Sequence, residues 1–510
     1  MSPITENRIR NTNEIRAGAV TLESTPIQLN IELTGVCNIQ PPCVFCTGKN
    51  IGYNYRPLDI SYLDKYADFL ERCERVNEDS FGEPLTHRSF VEVARRFAAR
   101  GQTFSFVTNG LCLAGEVAEG IAQLGAAVRF HISFNAASEE TFFRLTGRRF
   151  ETVLNNVRQY IELYRKHHNA TPDLTLTFIV MRVNRHEVSD FIRLAHSLGV
   201  KALLASLHER PSIPLGNFGY EFVYDEERLT DAEYDSLGLE ARELAAALGS
   251  IVLIQWDASS DSAVRGFAEE GVEIPCLIPW RFLFVQEHSQ NVYACPYHRR
   301  PIANLADRSL ADVWNGEELR NLRSSLAAKK IPKFCWDNAA GCPLVMRQRQ
   351  TAPIELESDI LVGRNDHDHF GLGWHPLESL ERPIRWTSRQ GAFCLRRNGG
   401  NTLCFTCISY KPNLAVSPTN GLVQVGGETI GAFRIEKTEW ATLRFTLPPA
   451  RETGVSDDKI DGAIVIENPW RPNLQLTSSF QEAVVGRGTT VAGSRDPRLL
   501  GIAVSHIWQE

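Results

Sequence analysis

Glu32-Leu-Thr-Gly-Val-Cys37-Asn-Ile-Gln-Pro-Pro-Cys43-Val-Phe-Cys46-Thr47 continues a run of strand-forming residues, Ile27 to Leu33. A strand here empties into a loop that carries three thiols, with an aromatic, Phe45, just before the last. Three cysteines hold three irons of a [4Fe–4S] cube and leave the fourth iron open to another ligand. A zinc knuckle and unrelated thiols are the alternatives that this segment alone leaves open. The spacing is five residues, then two; Pro41 and Pro42 lengthen the loop and stiffen it.

Working outward, the chain has 510 residues, 43% hydrophobic and 23% charged, which implies a soluble, globular protein of about three domains. A formal net charge of −7 leaves no nucleic-acid footprint. The first 26 residues are polar and mixed in charge, without the apolar core of a signal peptide, and no stretch reaches the ~18 apolar residues of a membrane span. A cytoplasmic location is therefore expected, and twelve cysteines there argue for metal before disulfides.

From residue 27 to about 256, strands alternate with helical stretches. Strands are expected at Ile27–Leu33, approaching Gly82, and at Thr103–Thr108, Val128–Phe134, Leu174–Val180, Ala202–Leu207 and Ile251–Trp256. Between them fall helices around Tyr62–Arg75, Phe90–Arg100, Gly115–Leu124, Phe150–Lys166, Glu187–Leu198 and Asp231–Leu248. This period predicts the α/β class, parallel strands with crossover helices in a partial (β/α)6-type TIM barrel. Functional residues then belong at the carboxyl ends of the strands. Beyond about residue 355, short alternating strands with Gly, Pro and Asn turns predict a C-terminal antiparallel β-sandwich. The expected division is 1–26 as an N-terminal extension, 27–258 as the barrel, 259–350 as a small auxiliary domain and 360–510 as the sandwich.

The cysteine triplet resembles that of the radical S-adenosylmethionine (radical SAM) enzymes, except that their first spacing is three residues rather than five. The resemblance implies that Cys37, Cys43 and Cys46 hold a [4Fe–4S] cluster whose open iron chelates the methionine part of SAM. Phe45 would then lie beside the SAM adenine. Gly82-Glu83-Pro84 is similar to the family's Gly-Gly-Glu-Pro motif, with Phe81 replacing the first glycine. Its backbone carbonyls would meet the methionyl ammonium, with Glu83 in support. The third strand ends in Val107-Thr108-Asn109-Gly110, a run many radical SAM proteins carry there, and the fourth ends in a stretch, with Ser133 and Asn135, that resembles the one whose polar residues reach the SAM ribose and carboxylate. Taken singly, each Asn reads as a loop cap.

A second group, Cys276, Cys295, Cys335 and Cys342, surrounds an Ile302-to-Gly316 stretch with a Leu…Trp-Asn pattern. It resembles the SPASM extension, or its shortened "twitch" form, and implies one auxiliary [4Fe–4S] cluster, with structural zinc as the alternative. Gln290 stands where that family prefers a glycine in the hairpin turn. The other thiols are Cys73, Cys112, Cys394, Cys404 and Cys407; the last two form a Cys-x-x-Cys whose members on a strand point to opposite faces, so they read as buried and structural. Cys112 is a candidate hydrogen-atom donor, and His208 and Glu209 are candidate acid or base groups. His367, Asp368 and His369 read as a solvated linker.

The sandwich resembles a β-domain appended to glycosyltransferases and methyltransferases of surface-polysaccharide clusters, and Trp374 and Trp386 are candidates for stacking on sugar rings. These resemblances together imply hydrogen abstraction from a carbohydrate-type substrate (a sugar, sugar nucleotide or glycan), ending in oxidation, dehydration or epimerisation. An external electron donor such as flavodoxin or ferredoxin would feed the reaction. The alternatives are modification of a peptide or protein, the commonest task of SPASM-type proteins, and a non-catalytic zinc-binding interaction protein.

Overall fold

The computed structural model describes the chain except residues 47–54, 208–215, 257–270, 299, 307, 339–341, 343, 346–355, 372, 376, 450–458 and 471–499. The chain divides into two compact units, one formed by Met1–Pro211 with Leu215–Thr351 and the other containing Ala352–Glu510.

The first unit is built on strands β1 (Gln28–Ile31), β2 (Arg75–Glu78), β3 (Thr103–Thr108), β4 (Val128–Ser133), β5 (Leu174–Val180) and β6 (Lys201–Ser206). A small hairpin follows, β7 (Gly216–Asn217) with β8 (Tyr220–Glu221). After it come β9 (Val252–Ile254), β10 (Phe282–Gln286), β11 (Asn291–Tyr293) and β12 (Ala303–Asn304). One ten-stranded sheet runs in the order β12-β11-β10-β1-β2-β3-β4-β5-β6-β9. Strands β1 to β6, β9 and β10 pair in parallel, as the βα alternation predicts for a barrel-type sheet, while β11 and β12 add antiparallel.

Parallel strands packed on both faces usually read as continuous apolar runs. Here β2, β3 and β4 alternate, because one face meets the helices and the other meets a polar interior, while β1 and β10 are buried throughout. On β4, Val128, Phe130 and Ile132 are buried, while Arg129, His131 and Ser133 are not. Phe106 stacks on Phe130 at 4.7 Å, and Phe90 from helix Phe90–Ala98 meets Phe106 edge-on at 4.7 Å. Helix Phe150–His168 buries Val153, Leu154, Val157, Tyr160, Ile161 and Tyr164 at helical spacing and ends on Asn169 in the left-handed region.

One expected element differs. The stretch read as a helix over Tyr62–Arg75 is a 3₁₀ turn, Ile60–Tyr66, followed by a single α-turn, Ala67–Leu70. The amides of Glu74 and Arg75 then both bond the Ile27 carbonyl, which draws the chain into β2 before a longer helix forms.

The N-terminal segment forms helix Pro3–Arg16, capped by Ser2, and its polar residues are used internally. Asn11 donates to the Trp280 carbonyl (2.8 Å), and the indoles of Trp280 and Trp314 donate to the Ala19 and Ser24 carbonyls. Arg323, fully buried, donates to the carbonyls of Pro279 and Val20 (both 3.0 Å) and lies 4.4 Å over the Trp314 ring.

The second unit is an antiparallel two-sheet β structure. Its strands are β13 (Asp359–Leu361), β14 (Glu378–Ser379), β15 (Pro383–Trp386), β16 (Gln390–Arg396), β17 (Thr402–Ile408), β18 (Thr419–Val425), β19 (Glu428–Ile435), β20 (Ala441–Thr446), β21 (Lys459–Ile466) and β22 (Ala503–Gln509). One sheet runs β14-β15-β22-β17-β20 with β13 on β22; the other runs β16-β21-β18-β19. Leu395, Phe405, Val423, Ile460, Ile464 and Ile507 are part of the core of this unit. Trp374 and Trp386 do not present open faces for a sugar. Trp386 is wholly buried against Trp470, and Trp374 is stacked on Phe370 at 3.9 Å with its indole N–H on the Ala392 carbonyl. Both are core residues, which removes the stacking role expected of them. His369 also lies inside, bonded to the Cys394 carbonyl at 2.7 Å, and is not a solvated linker residue; the His367 and Asp368 side chains lie outside the described residues.

Candidate functional site

The loop after β1 carries Cys37, Cys43 and Cys46 to the carboxyl ends of β2, β3 and β4. It is tied there from several sides. Arg148 donates to the carbonyls of Asn38 (3.3 Å) and Gln40 (3.0 Å), the Val44 amide bonds the Leu145 carbonyl, and Cys46 N–H returns to the Cys43 carbonyl. Burial pushes the Cys43 thiol well above its usual range, and negative charge on Cys46 and then Cys37 pushes it further, so the three sulfurs share one locus. Their mutual repulsion is what a bound polycation of iron would relieve.

The second-strand motif abuts this loop. A Cβ on Gly82 would fall 2.5 Å from the Val36 carbonyl oxygen and 2.6 Å from that of Thr34, so only glycine fits. The Glu83 amide donates to the same Val36 carbonyl at 2.8 Å. The buried Glu83 carboxylate accepts from Thr108 Oγ1 (2.6 Å) and Leu85 N (3.2 Å) on one oxygen and from Asn109 N (2.7 Å) on the other. Burial raises its pKa to about 7 against those hydrogen bonds. Glu83 therefore fastens the ends of β2 and β3 together, and Pro84 opens the buried 3₁₀ turn Pro84–Thr86 behind it.

Asn109 donates to Asn38 Oδ1 (2.7 Å) and faces Cys37 Sγ at 3.8 Å. Asn135 sits at φ +59°, a conformation Asn tolerates, and its Oδ1 accepts from Ile179 N at 2.8 Å. A cavity of about 490 Å³ opens between these groups, lined by the three cysteines, Phe45, Gly82, Glu83, Asn109, Ser133 and Asn135 among others. Of the residues expected to meet SAM, only Pro84 does not line it. Cys112 is not a lining residue either; its thiol accepts from Asn38 Nδ2 at 3.1 Å, behind the cluster loop. His208 and Glu209 lie outside the described residues. Sequence reading missed His131, Thr177 and Gln255, which also line the cavity. Their signal was polar residues at alternate positions on otherwise apolar strands.

The second thiol group also converges. Burial raises the Cys295 thiol far above its usual range, followed by the charges of Cys276, Cys342 and Cys335. Cys335 is pushed up to about 12 by burial and by Cys342. Buried His298 places Nε2 3.6 Å from Cys335 Sγ. It was missed in the sequence, although Cys295-Pro-Tyr-His298 has ligand-like spacing. The turn of the β10–β11 hairpin adopts its left-handed geometry without the expected glycine, Gln290 taking φ +56°. Among the described residues no three His, Cys, Asp or Glu side chains are gathered closely enough to hold a single metal ion. A four-iron cube takes one thiolate per iron and so uses ligands spread around it.

Residues 31–195 match the family model "Radical SAM superfamily", and residues 276–343 match SPASM, "Iron-sulfur cluster-binding domain". Residues 31–195 thus form a radical SAM domain and residues 276–343 a SPASM domain. The cofactors of these domains are SAM and [4Fe–4S] clusters, and the converging sets of three and four thiols fit them. The match also favours iron–sulfur over zinc for the second group.

Among relatives, a "Probable GTP 3',8-cyclase" of Saccharolobus islandicus is 34% identical over 189 residues, 35% of this chain and 56% of that protein. The chain therefore spans little more than half the length of that relative. A "Tungsten-containing aldehyde ferredoxin oxidoreductase cofactor-modifying protein" of Pyrococcus furiosus is 22% identical over 300 residues, 57% of this chain and 81% of that protein. Among solved structures, Streptococcus suis SuiB is 14% identical, with a TM-score of 0.46 covering 62% of this chain and 72% of that one. Among the described residues no helix is long and apolar enough to cross a membrane.

Proposed function

We propose that this chain cleaves SAM reductively and takes a hydrogen atom from a residue of a peptide or protein. The observation that carries the first half is the convergence of Cys37, Cys43 and Cys46 with Gly82, Glu83 and Asn109 on one cavity at the strand ends. Held by Cys37, Cys43 and Cys46, a [4Fe–4S] cluster would supply the electron for reductive cleavage of SAM to methionine and a 5′-deoxyadenosyl radical. The chain's own residues would hold the reactants: of the cavity lining, Phe45 would offer an apolar face to the adenine, the Gly82–Glu83 backbone would meet the methionyl ammonium, and Ser133 and Asn135 would bound the ribose side. The apolar majority of the lining excludes water from a radical that would otherwise be quenched.

The peptide reading is supported by the SPASM domain, since modification of peptides and proteins is the commonest task of proteins that carry it. The carbohydrate reading drew on the resemblance of the β unit to domains appended to surface-polysaccharide proteins and on Trp374 and Trp386, and both tryptophans are used up inside that unit. The cluster fitting Cys276, Cys295, Cys335 and Cys342 would serve as an electron store for an oxidative outcome. A one-electron donor such as flavodoxin or ferredoxin would complete the cycle.

The test is anaerobic, with reconstituted protein, reductant and SAM, and peptide or sugar-nucleotide pools added separately. Release of 5′-deoxyadenosine that rises with peptides, and deuterium carried into it from deuterated peptides, is the expected result. Stimulation by sugar nucleotides alone would return the substrate to the carbohydrate class, and no SAM cleavage at all would sink the enzyme reading.

A further inference from the structure

We propose that His298 belongs to the auxiliary centre, where its Nε2–H donates a hydrogen bond to the Cys335 sulfur and sets how readily the cluster there takes up an electron. This rests on the reading of the Cys276–Cys342 group as a cluster site. The ring is fixed from both sides of that group. His298 N–H bonds the Cys295 carbonyl at 3.1 Å, so the imidazole leaves the chain one turn beyond that ligand. Its plane meets Phe334, the neighbour of Cys335, edge-on at 4.9 Å and 79°.

Nε2 stands 3.6 Å from Cys335 Sγ, within reach of a sulfur acceptor. Nδ1 is buried, with no hydrogen-bond partner among the described residues. A neutral imidazole has one proton, and the nitrogen that faces an acceptor is where it is best satisfied. That nitrogen is Nε2.

Reduction adds negative charge that spreads over a cluster's irons and its cysteinyl sulfurs. A donor on one of those sulfurs stabilises the reduced state more than the oxidised one and raises the potential. His298 is thus a positioning residue for electron flow, not a further ligand: each of the four thiols already serves one iron.

The experiment uses the full chain with Cys37, Cys43 and Cys46 changed to Ala, so that only the auxiliary cluster gives a signal. It is reconstituted with ¹⁵N-histidine labelling and compared with the same chain carrying His298→Phe or His298→Gln. The expected result is about four irons in all three, a lower midpoint potential in His298→Phe, and partial recovery in His298→Gln, which keeps an N–H. Pulsed EPR of the reduced parent should show a weak ¹⁵N coupling that His298→Phe abolishes. An unchanged potential in His298→Phe at full iron content would overturn the proposal. So would a large ¹⁵N coupling with loss of iron in the variants, which would make His298 a ligand. If the Phe variant fails to fold, the ¹⁵N coupling of the parent decides alone. A parent without iron would instead remove the cluster reading beneath it.

Discussion

Glu83 shows how much a motif leaves unsaid at the residue scale. Its folded pKa of about 7 lies above the ordinary 4.5, with burial as the first cause. Between those values the folded chain keeps a proton that the unfolded chain has lost, so stability falls as pH rises through that window. Glu78, raised by burial to about 8, acts in the same direction over a slightly wider range. The metal-free protein should therefore melt at lower temperature at pH 8 than at pH 5, and Glu83→Gln should flatten the part of that slope below about pH 7. A pH series of thermal melts reads this; an identical slope in the variant would remove Glu83 from the account. Gly82→Ala drives a methyl group into the Val36 and Thr34 carbonyls, and should cost about 1–3 kcal/mol together with most SAM binding. Gly82, Glu83 and Asn109 were legible as a set through their resemblance to radical SAM motifs, placed at the ends of successive strands after the cysteine triplet. It did not reveal that Glu83 spends both oxygens on the neighbouring loop, because hydrogen bonds between strand ends leave no local pattern. Nor did it single out His131, which is polar on an apolar strand only because the barrel interior is a cavity.

Elements were legible where periodicity was long. Leu174–Val180 and Asp231–Leu248 fall where the pattern predicts, the latter opened by a Thr230–Glu233 capping box. The misread stretch was short and aromatic: Tyr62, Tyr66 and Phe69 keep helical spacing, but they serve to bury two brief turns. The turn between β10 and β11 gives an element-scale prediction. Gln290 holds a left-handed backbone that disfavours residues with a Cβ, so Gln290→Gly should stabilise the protein by about 1 kcal/mol in denaturant unfolding. Arg323 gives the opposite sign. It joins the segment after the first helix to the SPASM region through carbonyls that would be left buried and unpaired. Arg323→Ala should cost about 3 kcal/mol or more, read in the same unfolding experiment. This joint was not legible beforehand, since a polar N-terminal stretch reads alike whether it is free or docked by side chains reaching from residue 323.

At the scale of the whole molecule, the two units have different legibility. The sandwich was foreseeable from its short alternating strands, yet alternation marks only which side chains share a face, not what covers that face. Trp374 and Trp386 therefore read equally well as ligand platforms and as core, and packing against Phe370 and Trp470 decides for core. Because the β unit has a separate core in Phe405, Val423, Ile464 and their neighbours, it should not be needed for the chemistry of the cluster loop. A chain ending at residue 351 should still bind about eight irons and cleave SAM in the absence of substrate, at a rate within about threefold of the full chain. Every group assigned to SAM, from Cys37 to Asn135, and every thiol of the second centre lies before that point. Loss of substrate-stimulated cleavage with the uncoupled rate intact would place substrate capture in the β unit. Loss of the uncoupled rate itself, in a truncated chain that still melts cooperatively, would show that the β unit supports the radical site directly.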